Sequence, residues 1–198
     1  MMNRRWAIVV GVTLLTGPLA GTCPAATAEE AIAEAETAVR ARAEAIAAVV
    51  ALVDNEELFA VNPEQAAHAV ELLGRLRAEE AVPILLEHVY FEWPRSMRGP
   101  ALRDFPCAVA LARIGGAAAP ALVKLMAGDE DAAWLGTQVL VGIDGAAAAA
   151  ARLRAAAAEE VHEERRKRLL RAAEFAAGLH PQELDSPGHA APGTGFPD

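Results

Sequence analysis

Ala69-Val70-Glu71-Leu72-Leu73-Gly74-Arg75-Leu76, followed after a short charged turn by Ala81-Val82-Pro83-Ile84-Leu85-Leu86, is the stretch that decides the fold. Its apolar residues recur at helical spacing, break at a turn, and resume at helical spacing. The reading is two amphipathic helices joined tightly. Asn62-Pro63-Glu64 opens the first helix, with Asn as N-cap and Pro at the first helical position. Pro83 falls in the first turn of the second helix, where a missing N–H costs little.

The pattern recurs. Ala108-Val109-Ala110-Leu111-Ala112-Arg113-Ile114-Gly115-Gly116 is followed by Ala119-Pro120-Ala121-Leu122-Val123. Val139-Leu140-Val141-Gly142-Ile143-Asp144-Gly145 is followed by an alanine run to Leu153. Ile114 and Ile143 are 29 residues apart, Leu76 and Ile114 are 38, and the surplus lies in Phe91 to Pro100. A period near thirty built of helix pairs is the mark of an α-solenoid, because one pair cannot bury its own apolar face. The glycines of the turns are expected to end each first helix in the left-handed conformation.

On these residues the chain resembles the HEAT repeat family in its short bacterial form, over roughly residues 62–159. Asn62-Pro63-Glu64, Ala69, Leu73-Gly74, Ala81-Val82-Pro83 and Leu85 carry the resemblance in the first unit. Ile114-Gly115-Gly116, Pro120 and Leu122 carry it in the second, and Leu140 and Ile143-Asp144-Gly145 in the third. Where that family has an arginine in the first helix, Ala66, Asp104 and Ala133 stand here. The resemblance implies an all-α superhelix of about three helix pairs that binds another protein along one face.

Outside the repeats, Glu29 to Val53 reads as one long helix. Ile32, Val39, Ile46 and Val53 recur every seven residues, a stripe that is either a core face or a dimer seam. Asp54 to Asn62 reads as a loop or a broken continuation. Glu159 to Gly178 reads as a closing helix in which acids lead and bases follow, with Glu163–Lys167 and Glu164–Arg168 as i,i+4 pairs. Residues 180–198, rich in Pro and Gly, read as a disordered tail.

Residues 1–28 have the order of a secretory signal peptide: Arg4-Arg5, the apolar run Trp6 to Leu15, and Ala26-Thr27-Ala28 as a small-x-small cleavage site. Ten helical residues span about 15 Å, half of a hydrocarbon core of about 30 Å, so this is not a membrane anchor. The expectation is a periplasmic or secreted protein with no membrane span in the mature chain. A lipid anchor through Cys23 is the lesser alternative, since Leu19-Ala20-Gly21-Thr22 is displaced by one from a lipobox.

The formal charge is −9, and removal of residues 1–28 takes two arginines and no acid, leaving −11. That excess argues against nucleic acid and anionic membrane surfaces as partners. Cys107 alone remains as a thiol after residue 28 and reads as a buried small hydrophobe.

No catalytic constellation emerges, and no cofactor or metal is expected. His88 and Glu92 are four apart and could share a helix face, but no third ligand has a recognisable spacing. His162-Glu163-Glu164-Arg165-Arg166 lacks the second histidine of a zinc-protease helix. The unusual patch is Tyr90 to Pro100, which gathers aromatic and basic side chains of the kind enriched in interface anchors. Phe91, Trp93, Arg95, Met97, Arg98 and Trp134 are therefore the candidate partner-binding residues; the other reading is that the aromatics plug the core. The function expected is a non-enzymatic scaffold or protein-binding module of the bacterial envelope. A homodimer through the first helix, or a small-ligand carrier using the 90–100 insertion, are the alternatives.

Overall fold

Four prolines set the starts of helices. Pro63, Pro83, Pro106 and Pro120 each occupy the first or second helical position, where proline's fixed φ suits the helix and its missing N–H is not needed. The computed structural model describes residues 28–94 and 101–179. Among these residues the regular structure is helical and no strand occurs. The helices are α1 (Ala28–Val53), α2 (Glu56–Val61), α3 (Pro63–Leu76), α4 (Val82–Glu87), α5 (Pro106–Ile114), α6 (Ala119–Gly128), α7 (Ala132–Asp144), α8 (Ala146–Glu159) and α9 (Glu163–Gly178). Single 3-10 turns at Glu79–Ala81 and Leu102–Asp104 lead into α4 and α5. None of these helices is long and apolar enough to cross a membrane. The signal-peptide segment, Cys23 and the 180–198 tail lie outside the described residues.

The chain divides into two compact units, up to Val39 and from Arg40 onward. What is described of the first is the opening part of α1, where the Thr37 hydroxyl donates to the Ala33 carbonyl at 2.9 Å. Here Ile32 and Val39 are 59% and 69% exposed. In the second unit the same stripe continues as Ile46 and Val53, which are 2% and 0% exposed. The heptad pattern is thus a core face over only half its length.

In the second unit α3 packs against α5, α5 against α7, and α7 against both α8 and α9. One continuous core results, filled by Val70 and Leu73 of α3, Leu111 of α5, Met126 of α6, Leu140 of α7 and Leu169 of α9. Each such side chain contributes about 1.5–3 kcal/mol of transfer free energy on burial. The alanines between them let the helix backbones approach closely. Gly74 is the extreme case: it lies inside α3, and a Cβ on it would meet the Ala110 Cα of α5 at 2.8 Å.

The charged turn after α3 is made without glycine: Arg77 ends the helix in the left-handed region at φ 49°, its N–H reaching the Gly74 and Leu73 carbonyls. Gly115 and Gly145 do follow their helices at positive φ (86° and 81°), with ψ values outside the left-handed helical well, in a region glycine alone adopts cheaply.

Three other boundaries add detail to the expectation. Residues 56–61 form a short helix because Asn55 caps it, its side-chain oxygen accepting from the Glu57 N–H at 3.1 Å. Asn62 stands at the N-cap of α3 without a side-chain capping bond, so Pro63 does the work of starting that helix. Glu159 ends α8, and α9 starts at Glu163 after Glu160 accepts from the His162 N–H at 2.9 Å. Glu163 does pair with Lys167, at 3.9 Å. Arg168 instead leaves the surface: it donates from Nη1 to the Ala127 carbonyl at 2.6 Å, at the C-terminal turn of α6.

Candidate functional site

An open groove of about 960 Å³ runs over the second unit between the C-terminal half of α1, α3 and α5. Val49 and Leu52 of α1 form one apolar wall. Trp93, Pro106 and Val109 form the other, and Leu72 of α3 lies between. Polar groups divide by helix: Glu64, His68 and Glu71 stand on α3, while Arg103 and Arg113 stand on the α5 side.

The walls exist because α1 and α5 flank α3. Arg42 fixes the α1 side, donating from Nη2 to the Leu76 carbonyl at 2.6 Å, the last residue of α3. A cation at a helix C-terminus satisfies an orphan carbonyl and complements the helix dipole. The α5 side is fixed by Gly74 against Ala110. Arg113 meets Glu71 across the groove end at 3.5 Å, with both side chains about half exposed, a pair worth at most about 1 kcal/mol.

Trp93 reaches the groove through Asp104. The Trp93 N–H donates to the Asp104 carbonyl at 2.8 Å, and the Ala101 N–H donates to the Asp104 carboxylate at 2.9 Å. Asp104 is itself buried. One residue therefore pins the backbone on both flanks of residues 95–100 and sets the indole against the groove wall.

Of the six residues expected at a partner site, Arg95, Met97 and Arg98 lie outside the described residues. The three aromatics sit in three different surroundings. Phe91 is half-buried, edge-on to Phe59 at 4.8 Å, and Phe59 stacks on His88 at 4.0 Å. Trp134 lies edge-on to Phe105 at 6.0 Å, against the core, its Nε1 buried without a hydrogen-bond partner. Trp93 alone of the three lines the groove. Neither His88 nor Trp134 lines that groove. His88 also ends α4, and Glu92 lies beyond it, so the two do not share a helix face. Among the described residues no group of three His, Cys, Asp or Glu side chains is placed to hold a metal ion.

Sequence reasoning missed Val49, Leu52, His68, Arg103 and Arg113 as groove residues. Leu52 carried the one available signal, an apolar residue off the heptad stripe; it is 47% exposed. Cys107 is fully buried in α5, and burial pushes its thiol from the ordinary 9.0 up to about 12. The Tyr90 phenol, raised first by burial and then by its 2.6 Å hydrogen bond to Asp129, ties the segment after α4 to the end of α6. No family model matches the chain, and no curated protein or solved structure matches it.

Proposed function

We propose that this protein is a non-enzymatic binding module whose α1–α3–α5 groove receives a segment of another polypeptide. The groove itself carries the reading: two apolar walls, a tryptophan on one of them, and charge at both edges. Helix-in-groove recognition uses this combination, apolar anchors between walls with polar contacts at the rim. Tryptophan and arginine are the side chains that most often dominate such contacts. The order of α3 to α8 follows the repeats of the sequence and α7 packs on α8, which supports a short HEAT-like solenoid with the groove on its first helices. The warrant from that fold is analogy.

The N-terminal sequence supports action in the periplasm or outside the cell, with residues 1–28 removed. Intact mass of the protein purified from its native host tests this: a chain beginning at Glu29 supports it, and a diacylglyceryl adduct on Cys23 contradicts it. The groove is tested with Leu52→Asp and Val109→Glu, which put a carboxylate on each wall. Proteins retained from envelope extract by the wild type are expected to be lost from both variants. Equal retention by both would contradict the assignment.

A further inference from the structure

Among the described residues two apolar surfaces stand open: the groove of the second unit and the Ile32–Val39 stripe of α1. Resting on the groove reading above, we infer that the two are each other's partner between copies, the opening half of α1 from one copy seating in the groove of the next.

The stripe has the right form. At 100° per residue, Ile32, Ala35 and Val39 fall on one narrow line of α1. Glu29 and Glu36 lie along one border of that line, and Ala31 and Ala38 along the other. The groove is polarised in the same way, with Arg103 and Arg113 on its α5 edge and Glu64 and Glu71 on α3. Seated with Ile32 and Val39 over the α3 floor, the helix lays its carboxylate border over the arginines of the α5 side and its alanine border along Val49 and Leu52 of the α1 wall. Glu29 and Glu36 are seven residues apart, about 10.5 Å along α1. The reverse orientation puts Glu29 and Glu36 against Val49 and Leu52, leaves the arginines facing alanine, and is disfavoured. A stripe-to-stripe pairing is also disfavoured: in an antiparallel pair Glu29 faces its counterpart's Glu36, and its layers are half alanine.

Area is consistent with a reversible contact. Eleven residues of helix are about 16 Å long, and a twofold pair makes the contact twice, burying on the order of 1,000 Å², the lower bound for a specific interface. The electrostatic part lies at the exposed rim and is expected to weaken with salt.

The full chain after removal of residues 1–28 is followed by sedimentation velocity from about 1 to about 200 μM, the range of weak specific affinities. The wild type is expected to pass from monomer to dimer. Ile32→Asp with Val39→Asp, both at exposed positions, is expected to weaken this at least ~100-fold with an unchanged melting curve. Leu52→Asp, on the groove wall, is expected to do the same. Mixed, the stripe variant and the groove variant retain one intact stripe and one intact groove and are expected to form a 1:1 complex. A groove variant that still dimerises, or a mixture that fails to associate, overturns the inference in favour of stripe-to-stripe pairing. A wild type that stays monomeric overturns it as well; if Leu52→Asp then still loses an extract partner, the groove reading survives alone, and if it loses none, both fall.

Discussion

Gly74 of α3 and Ala110 of α5 are in backbone contact: a Cβ built on Gly74 would stand 2.8 Å from the Ala110 Cα and 3.1 Å from its Cβ. Neither atom belongs to a flexible side chain that could swing away. The approach fixes the distance between the floor of the groove and its tryptophan-bearing wall. Gly74→Ala gains about 1 kcal/mol of helix propensity but forces the two helices apart, and a net loss of about 1–3 kcal/mol is expected by urea denaturation.

Gly142 in α7 supplies the opposite sign. A Cβ there meets only the Ala112 Cβ, at an ordinary 3.8 Å. Gly142→Ala is expected to stabilise the protein by about 0.5–1 kcal/mol in the same assay, through helix propensity and reduced freedom of the unfolded chain.

Arg168 places a guanidinium nitrogen 2.6 Å from the Ala127 carbonyl, in a partly buried setting. Arg168→Ala leaves that carbonyl without its donor and is expected to cost about 1–2 kcal/mol, read from the melting temperature. Neighbouring Lys167, exposed and paired only with Glu163 and Glu164, is expected to cost under about 0.5 kcal/mol when replaced by alanine.

Cys107 gives a pH dependence. Its thiol is raised from 9.0 to about 12 by burial, so the folded state disfavours the thiolate. Below about pH 9 the thiol is neutral in both states and this contribution is complete. Between 9 and 12 the unfolded chain ionises first, and stability is expected to fall by up to about 1.4 kcal/mol per pH unit. Denaturation midpoints from pH 8 to 11 check this, with Cys107→Ala flattening the decline. A thiol reagent at pH 8 is expected to label Cys107 only at the rate at which the protein opens.

Asp104 holds Trp93 in place through two backbone hydrogen bonds, one from its carbonyl and one from its carboxylate. Asp104→Ala strands the buried-side Ala101 N–H and is expected to cost about 1–3 kcal/mol. Asp104→Asn, which keeps an acceptor oxygen, is expected to recover much of that. Trp93 fluorescence should shift to the red in the alanine variant and return toward the wild-type maximum in the asparagine variant.

The helices were legible because their signals are local. Apolar spacing located α3, α5 and α7, and the prolines at 63, 83 and 120 marked starts that the structure keeps. The turn at Arg77 was not legible: a non-glycine in the left-handed region is chosen by the packing that holds Gly74 inside the helix. Nor was the split in α1, since Ile32, Val39, Ile46 and Val53 are alike in sequence and differ only in what lies opposite them. For the candidate site, Trp93 was picked out by residue type. The groove around it was not, because Val49, Leu52 and Arg113 come from helices far apart in the chain and ordinary in themselves.

The central claim is that the groove takes a polypeptide segment, and site-specific photo-crosslinking tests it most directly. A benzophenone amino acid at Val109 in the groove is compared with one at Arg154, on the exposed face of α8, in the intact host cell. The account predicts discrete protein adducts from position 109, lost when Leu52→Asp is added, and none from position 154. Equal labelling from both positions, or none from 109, would contradict it.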